Sequence, residues 1–181
     1  MNLVSYKTQS LHGEIICPGD KSVSQRIIII GSLLNCDMQV NGFLNAHDPI
    51  ATANALKAIG AQISINGTEV ILKKRENLFN DSEHDLNLGN SGTGSRLLLG
   101  LISGLGLKST IIGDKSLQKR PMSRVIEPLK MMGAELSSNE GKLPIKTLGS
   151  KIIDNFEYEM PIASAQVKSC LLLAALASQK N

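Results

Sequence analysis

Apolar residues along this chain alternate between two rhythms. Dense helical runs open at Ile27, Leu97 and Cys170, and shorter β-branched stretches lie between them. The first rhythm predicts helices at residues 22–34, 49–60, 91–103, 122–132 and 164–178. The second predicts strands at 14–17, 38–43, 62–65, 70–73, 86–88, 110–112, 135–137, 143–145 and 157–160. Asn66-Gly67 and Asn139-Glu140-Gly141 read as hairpin turns. Residues 74–85 and 113–121 read as polar loops. Ser22 or Asp20 is expected to cap the first helix, and Asp48 the second with Pro49 just inside it. Gly60 and Gly133 are expected to stop the second and fourth helices.

This pattern repeats. Arg26, Arg96 and Lys168 lie 70 and 72 residues apart, and Gly60-Ala61 recurs 73 residues later as Gly133-Ala134. Each unit runs polar start, helix, strand, amphipathic helix, glycine, strands. A period this long builds a domain rather than a solenoid. The units are expected at about 19–88, 89–159 and 160–181, the third incomplete, with residues 1–18 a separate segment. Equivalent units packed around one axis would bring equivalent helix starts together.

Those starts carry the chemistry. Pro18-Gly19-Asp20-Lys21-Ser22-Val23-Ser24-Gln25-Arg26, Gly89-Asn90-Ser91-Gly92-Thr93-Gly94-Ser95-Arg96 and Pro161-Ile162-Ala163-Ser164-Ala165-Gln166-Val167-Lys168 each combine small polar residues with a cation. A helix N-terminus presents unpaired N–H groups and partial positive charge. That alone holds an exposed anion by only about 0.3–1 kcal/mol, whereas each charge-assisted hydrogen bond adds about 1.5–3 kcal/mol. Lys21, Ser22 and Arg26 supply such bonds, Arg26 lying one turn after Ser22 on the same face. The plainer reading is a capped helix with solvated charges. The Gly89–Arg96 segment has the glycine spacing of a nucleotide P-loop, but Ser95-Arg96 replaces the Lys-Ser/Thr that reaches phosphate and magnesium. Gly100, Gly104 and Gly106 form no dinucleotide fingerprint. Residues 113–124 carry four cations, and Arg120 is positioned by Pro121 at a helix entrance; a solvated basic loop is the plain alternative.

Composition narrows the partner. A net charge of +3 and an aromatic content of 3% suit a small anionic substrate better than nucleic acid, which asks for a denser basic patch and stacking rings. Cys17, Cys36 and Cys170 show no metal spacing or disulfide framework and read as reduced thiols of a cytoplasmic protein. His12, His47 and His84 read as surface or turn residues. The N-terminus lacks the pattern of a signal peptide, and the apolar stretch 97–107 is too short to span a bilayer.

Taken in order, these motifs, with Gly113-Asp114-Lys115-Ser116-Leu117, Arg120-Pro121-Met122 and Ala163-Ser164-Ala165-Gln166-Val167-Lys168-Ser169, resemble the 5-enolpyruvylshikimate-3-phosphate synthases (3-phosphoshikimate 1-carboxyvinyltransferases). The resemblance covers nearly the whole chain and the first part of that family's sequence. It implies an α/β inside-out barrel of βαβαββ-type units around a pseudo-threefold axis. It also implies transfer of the enolpyruvyl group of phosphoenolpyruvate to the 5-hydroxyl of shikimate 3-phosphate, with release of phosphate and without metal or organic cofactor. By motif, Lys21, Ser22, Arg26, Ser164, Ala165 and Gln166 would contact shikimate 3-phosphate. Lys21, Gly92, Arg120 and Gln166 would contact phosphoenolpyruvate, with Asn90, Thr93, Arg96, Arg124 and Lys168 in support. Lys21 is the acid/base candidate. Gly92 is also where the family meets glyphosate, and a side chain there would crowd that inhibitor. Gln25 replaces the His of many relatives, and Ala165 a second Ser, so Ala165 would bind only through its backbone. The resemblance further implies that residues 1–18 pack with a second domain. The family's catalytic carboxylates would lie in a C-terminal part supplied in cis or by another chain. A non-catalytic binding fragment and one half of a split synthase are the alternatives. A UDP-sugar enolpyruvyl transferase fits Asp20-Lys21-Ser22 and Ser164-Ala165-Gln166 less well.

Overall fold

The computed structural model of the chain describes residues 3–74 and 76–179. Met1, Asn2, Arg75, Lys180 and Asn181, which include the ends of the expected first segment and third unit and one residue of the 74–85 loop, lie outside the described residues. The elements follow in the order α1 (Lys21–Leu33), β1 (Met38–Val40), α2 (His47–Ala58), β2 (Gln62–Asn66), β3 (Glu69–Lys73), β4 (Leu86–Asn87), α3 (Gly92–Leu105), β5 (Lys108–Ile112), α4 (Ser123–Met131), β6 (Ala134–Asn139), β7 (Lys142–Ser150) and α5 (Ala165–Ser178). A 3-10 turn at Leu117–Lys119 lies before α4.

The sheets show the repeat directly. One has strand order β1-β3-β2 and the other β4-β5-β7-β6. Matching β1, β3 and β2 to β5, β7 and β6 superimposes the two orders, and all these pairings are antiparallel. The second sheet adds β4, parallel to β5.

Helix α3 packs on the second sheet. Leu97, Leu98, Leu99, Leu101 and Ile102 are fully buried, which closes three successive positions around the helix circumference. A helix that is apolar all round is a buried one, and α3 packs against α1, α2, α4, α5 and strands β5–β7. Its tightest neighbour is α5. A side chain at Gly100 would lie 2.2 Å from the Cys170 carbonyl oxygen, and one at Gly104 2.3 Å from that of Ala174. Two glycines one turn apart thus let the two backbones touch, and that contact fixes where the α5 start sits relative to the α3 start.

Several expectations need correction. Residues 14–17 form no strand, and Ile15 and Ile16 are 87% and 100% exposed. Residues 157–160 form no strand either; Phe156 and Tyr158 stack there instead, ring centroids 6.2 Å apart. A strand forms only where its backbone groups pair with a neighbouring strand, and among the described residues neither segment has one. Asp48 does not cap α2: the helix begins at His47 with Ala46 in the cap position, and Asp48 lies in its first turn. The first hairpin turns on Gly67-Thr68, because Asn66 still pairs with Glu69. The second turns on Glu140-Gly141 as expected, both with positive φ. Among the described residues, no helix is long and apolar enough to cross a membrane.

Candidate functional site

The three polar segments do open helices. Asp20 caps α1, its carboxylate accepting from the Val23 N–H at 2.7 Å. Ser91 caps α3 through the Gly94 N–H at 3.1 Å, and Ser164 caps α5 through the Val167 N–H at 3.4 Å. Each cap satisfies one donor of its first turn, and at α3 the Gly92 N–H is also taken, by the Asn90 backbone carbonyl at 2.9 Å.

The same three starts are joined pairwise by side chains. Gln25 of α1 donates from Nε2 to the Ser91 hydroxyl at 2.6 Å and to Thr52 of α2 at 2.9 Å. Arg26 of α1 donates to the Ser169 hydroxyl of α5 at 3.2 Å. Gln166 of α5 donates to the Thr93 hydroxyl of α3 at 3.1 Å. Three bonds close a triangle around one face, so three positive helix ends converge there.

Cations line that face. Lys21 opens α1 and pairs with Asp48 at 3.0 Å while remaining half exposed. Arg26 also donates back to the Ser22 carbonyl at 3.2 Å, which holds its guanidinium along the helix. Arg96 is buried and donates to the Gly92 carbonyl at 2.9 Å and the Pro121 carbonyl at 3.1 Å, bridging the α3 start to the loop before α4. Its Nε has no partner among the described residues, and no carboxylate there pairs with it. Burial, with Arg124 and Arg120 close by, pushes the Arg96 guanidinium below its ordinary pKa. An arginine stays protonated even so, which leaves a positive charge beside Gly92 that attracts anions. Arg120 is half-buried and donates to the Asn90 side-chain oxygen, Oδ1. A side chain at Gly92 would lie 2.9 Å from Arg96 Nη1 and 3.1 Å from Arg120 Nη1. The α3 start and the Arg120 loop therefore meet at one glycine.

Of the residues singled out in the sequence, Lys21, Arg26, Asn90, Gly92, Thr93, Arg96, Arg120, Ser164 and Gln166 fall within this network. Ser22 contributes its carbonyl, and Ala165 is the first helical residue of α5. Arg124 and Lys168 are exposed, Arg124 near enough to act on Arg96. The partners Asp48, Thr52, Ser91 and Ser169 were not legible in that role. The one available signal was a glutamine, Gln25, ahead of an unbroken isoleucine run, since a buried amide demands partners. A concavity of about 860 Å³ adjoins this network and shares Asp48 and Asn90 with it; Asn54, Asp85 and Asn87 line its other side.

The family model for EPSP synthase (3-phosphoshikimate 1-carboxyvinyltransferase) matches residues 5–181. The 3-phosphoshikimate 1-carboxyvinyltransferase of Vesicomyosocius okutanii is 44% identical over 173 residues, covering 95% of this chain and 40% of that protein. Its counterpart in Thermoanaerobacter sp. strain X514 is 43% identical over 177 residues, covering 97% of this chain and 42% of that protein. A solved EPSP synthase from Acinetobacter baumannii superimposes with a TM-score of 0.84 at 38% identity, covering 92% of this chain and 38% of the other. The chain thus spans about 40% of the length of the curated relatives it matches. On a match that runs through nearly every described residue, the chain belongs to the EPSP synthase (3-phosphoshikimate 1-carboxyvinyltransferase) family.

Proposed function

We propose that this chain supplies the phosphate- and carboxylate-binding half of a site that transfers the enolpyruvyl group of phosphoenolpyruvate to the 5-hydroxyl of shikimate 3-phosphate and releases phosphate. The observation that carries this reading is the hydrogen-bonded triangle of helix starts, Gln25–Ser91, Arg26–Ser169 and Gln166–Thr93, ringed by Lys21, Arg26, Arg96 and Arg120. Both substrates are multiply anionic, and a preorganised set of donors stabilises charge as it moves between them. In this reading Lys21, Ser22, Arg26, Ser164, Ala165 and Gln166 hold shikimate 3-phosphate. Lys21, Gly92, Arg120 and Gln166 hold phosphoenolpyruvate. Lys21 is the acid/base group, and Asp48 fixes its ammonium. The remaining contacts come from a C-terminal part, in cis or as a second chain, a reading supported by the share of the relatives that this chain spans. The proposed setting is the cytoplasm, supported by three unpaired thiols.

Titration calorimetry with shikimate 3-phosphate tests the assignment. Lys21→Ala and Arg26→Ala are each expected to weaken binding by about 1.5–3 kcal/mol, the scale of one charge-assisted hydrogen bond. Unchanged affinity in both variants would defeat it.

A further inference from the structure

Arg120 does not reach its place unaided. Its guanidinium donates to the Asn90 side-chain oxygen, and the Asn90 Nδ2 donates to both oxygens of Asp114, at 2.8 and 3.1 Å. Asp114 is itself fixed. Its Oδ1 accepts from the Ser116 N–H at 2.9 Å and the Leu117 N–H at 2.7 Å, and its own N–H donates to the Gly89 carbonyl at 2.8 Å. Chemistry leaves one orientation for the amide between them. A carboxylate only accepts and a guanidinium only donates, so the Asn90 nitrogen must face Asp114 and its oxygen must face Arg120.

We infer that Asp114 is a positioning residue for Arg120, acting through the Asn90 amide. Its bearing on phosphoenolpyruvate rests on the function proposed above. The loop that begins at Gly113 sets the carboxylate, the carboxylate sets the amide, and the amide aims the guanidinium toward Gly92. Arg120 then meets an anion already oriented, and less side-chain freedom is lost on binding.

A polarity swap tests this on the free, full chain. Asp114→Asn keeps an oxygen for Ser116 and Leu117 but places an NH₂ opposite the Asn90 NH₂. Whichever way Asn90 turns, two donors then face each other. Adding Asn90→Asp restores the sequence of donor and acceptor with its direction reversed at one link. Asn90→Asp alone sets two carboxylates against each other. The readout is water exchange of the Arg120 side-chain N–H groups by ¹⁵N NMR, with the Arg26 signal as an internal control of folding. Asp114→Asn is expected to speed Arg120 exchange roughly tenfold, the equivalent of one hydrogen bond to a charged group. The double variant is expected to return it to within about threefold of the natural chain, and to exchange more slowly than Asn90→Asp alone, because coupled neighbours are not additive. Natural-rate exchange in Asp114→Asn, or a double variant no slower than Asn90→Asp, overturns the inference. Failure of phosphoenolpyruvate to shift the Arg120 signal in the natural chain would count against the proposed function and not against the relay.

Discussion

Gln25 Nε2 and Ser91 Oγ are 2.6 Å apart, and this bond ties helix α1 to the residue that caps helix α3. Gln25 is fully buried, and the same amide nitrogen reaches Thr52 on α2. Three helices are therefore registered by one side chain. Its Oε1 finds no partner among the described residues, a cost that the bonds donated by Nε2 to Ser91, Thr52 and, at 3.4 Å, the Asp48 backbone carbonyl must outweigh. Gln25→Leu removes both the bonds and the unpaired oxygen. The expected net loss is about 1–3 kcal/mol, or roughly 2–12 °C in melting temperature for a chain of this size. A variant that melts at or above the natural temperature would show that the amide does not hold the helices in register.

Glycines on the same helix should respond oppositely to the same change. At Gly100 an added methyl meets the Cys170 backbone at 2.2 Å, so one helix must move. Gly100→Ala is expected to destabilise by about 1–3 kcal/mol or more, overpacking outweighing the better helix propensity of alanine. At Gly92 the methyl meets the far ends of Arg96 and Arg120, which can swing away. Gly92→Ala is expected to stay within about 1 kcal/mol of the natural stability while weakening phosphoenolpyruvate binding, because the displaced Arg120 guanidinium is a proposed ligand. Thermal melts and ligand titrations on both variants decide this, and the reverse ranking would contradict the packing described for α3.

The thiols offer an independent check on that packing. Cys170 is fully buried between α5 and α3, and burial pushes its pKa up to about 12. Cys17 and Cys36 are exposed. At pH 8 the thiolate fraction of Cys170 is about 10⁻⁴, too small to react at a useful rate. Ellman's reagent is expected to titrate Cys17 and Cys36 promptly in the native chain and to reach Cys170 only after denaturation. Prompt reaction at Cys170 would mean that α5 is not seated on α3.

Much of this arrangement was legible in the sequence, for reasons that individual residues make plain. The helix starts at Lys21, Gly92 and Ala165 were readable because caps are local: Asp20, Ser91 and Ser164 each bond within three residues. The glycine stops after α2 and α4 were readable for the same reason. What failed was non-local. Residues 14–17 have strand composition, but no described strand lies beside them. Asp48 looked like a cap by its place before Pro49, yet its carboxylate serves Lys21, 27 residues away. The triangle of helix starts depends on Ser169 and Thr93 meeting partners 143 and 73 residues distant. Their composition as ordinary hydroxyl residues gave no sign of that.

Acid should reveal how Asp114 is held. The Asn90 amide first, and then the Leu117 and Ser116 N–H groups, draw its carboxyl below the ordinary aspartate range. A depressed folded pKa makes a contribution that is present above the unfolded value and is lost as pH falls through the folded one. The unfolded value is about 3.9. The Asp114 contacts, and with them the slow exchange of Arg120, should therefore persist unchanged through mild acid and disappear only below that value. The ¹³C shift of the Asp114 carboxyl against pH measures this directly. Asp37, drawn down chiefly by its 2.7 Å bond to Lys73, provides the comparison. Lys73→Met is expected to return Asp37 toward the ordinary value and leave Asp114 where it was. An Asp114 midpoint at or above about 3.9 would mean that the Asn90 bond is not held in solution, and the relay to Arg120 would lose its anchor.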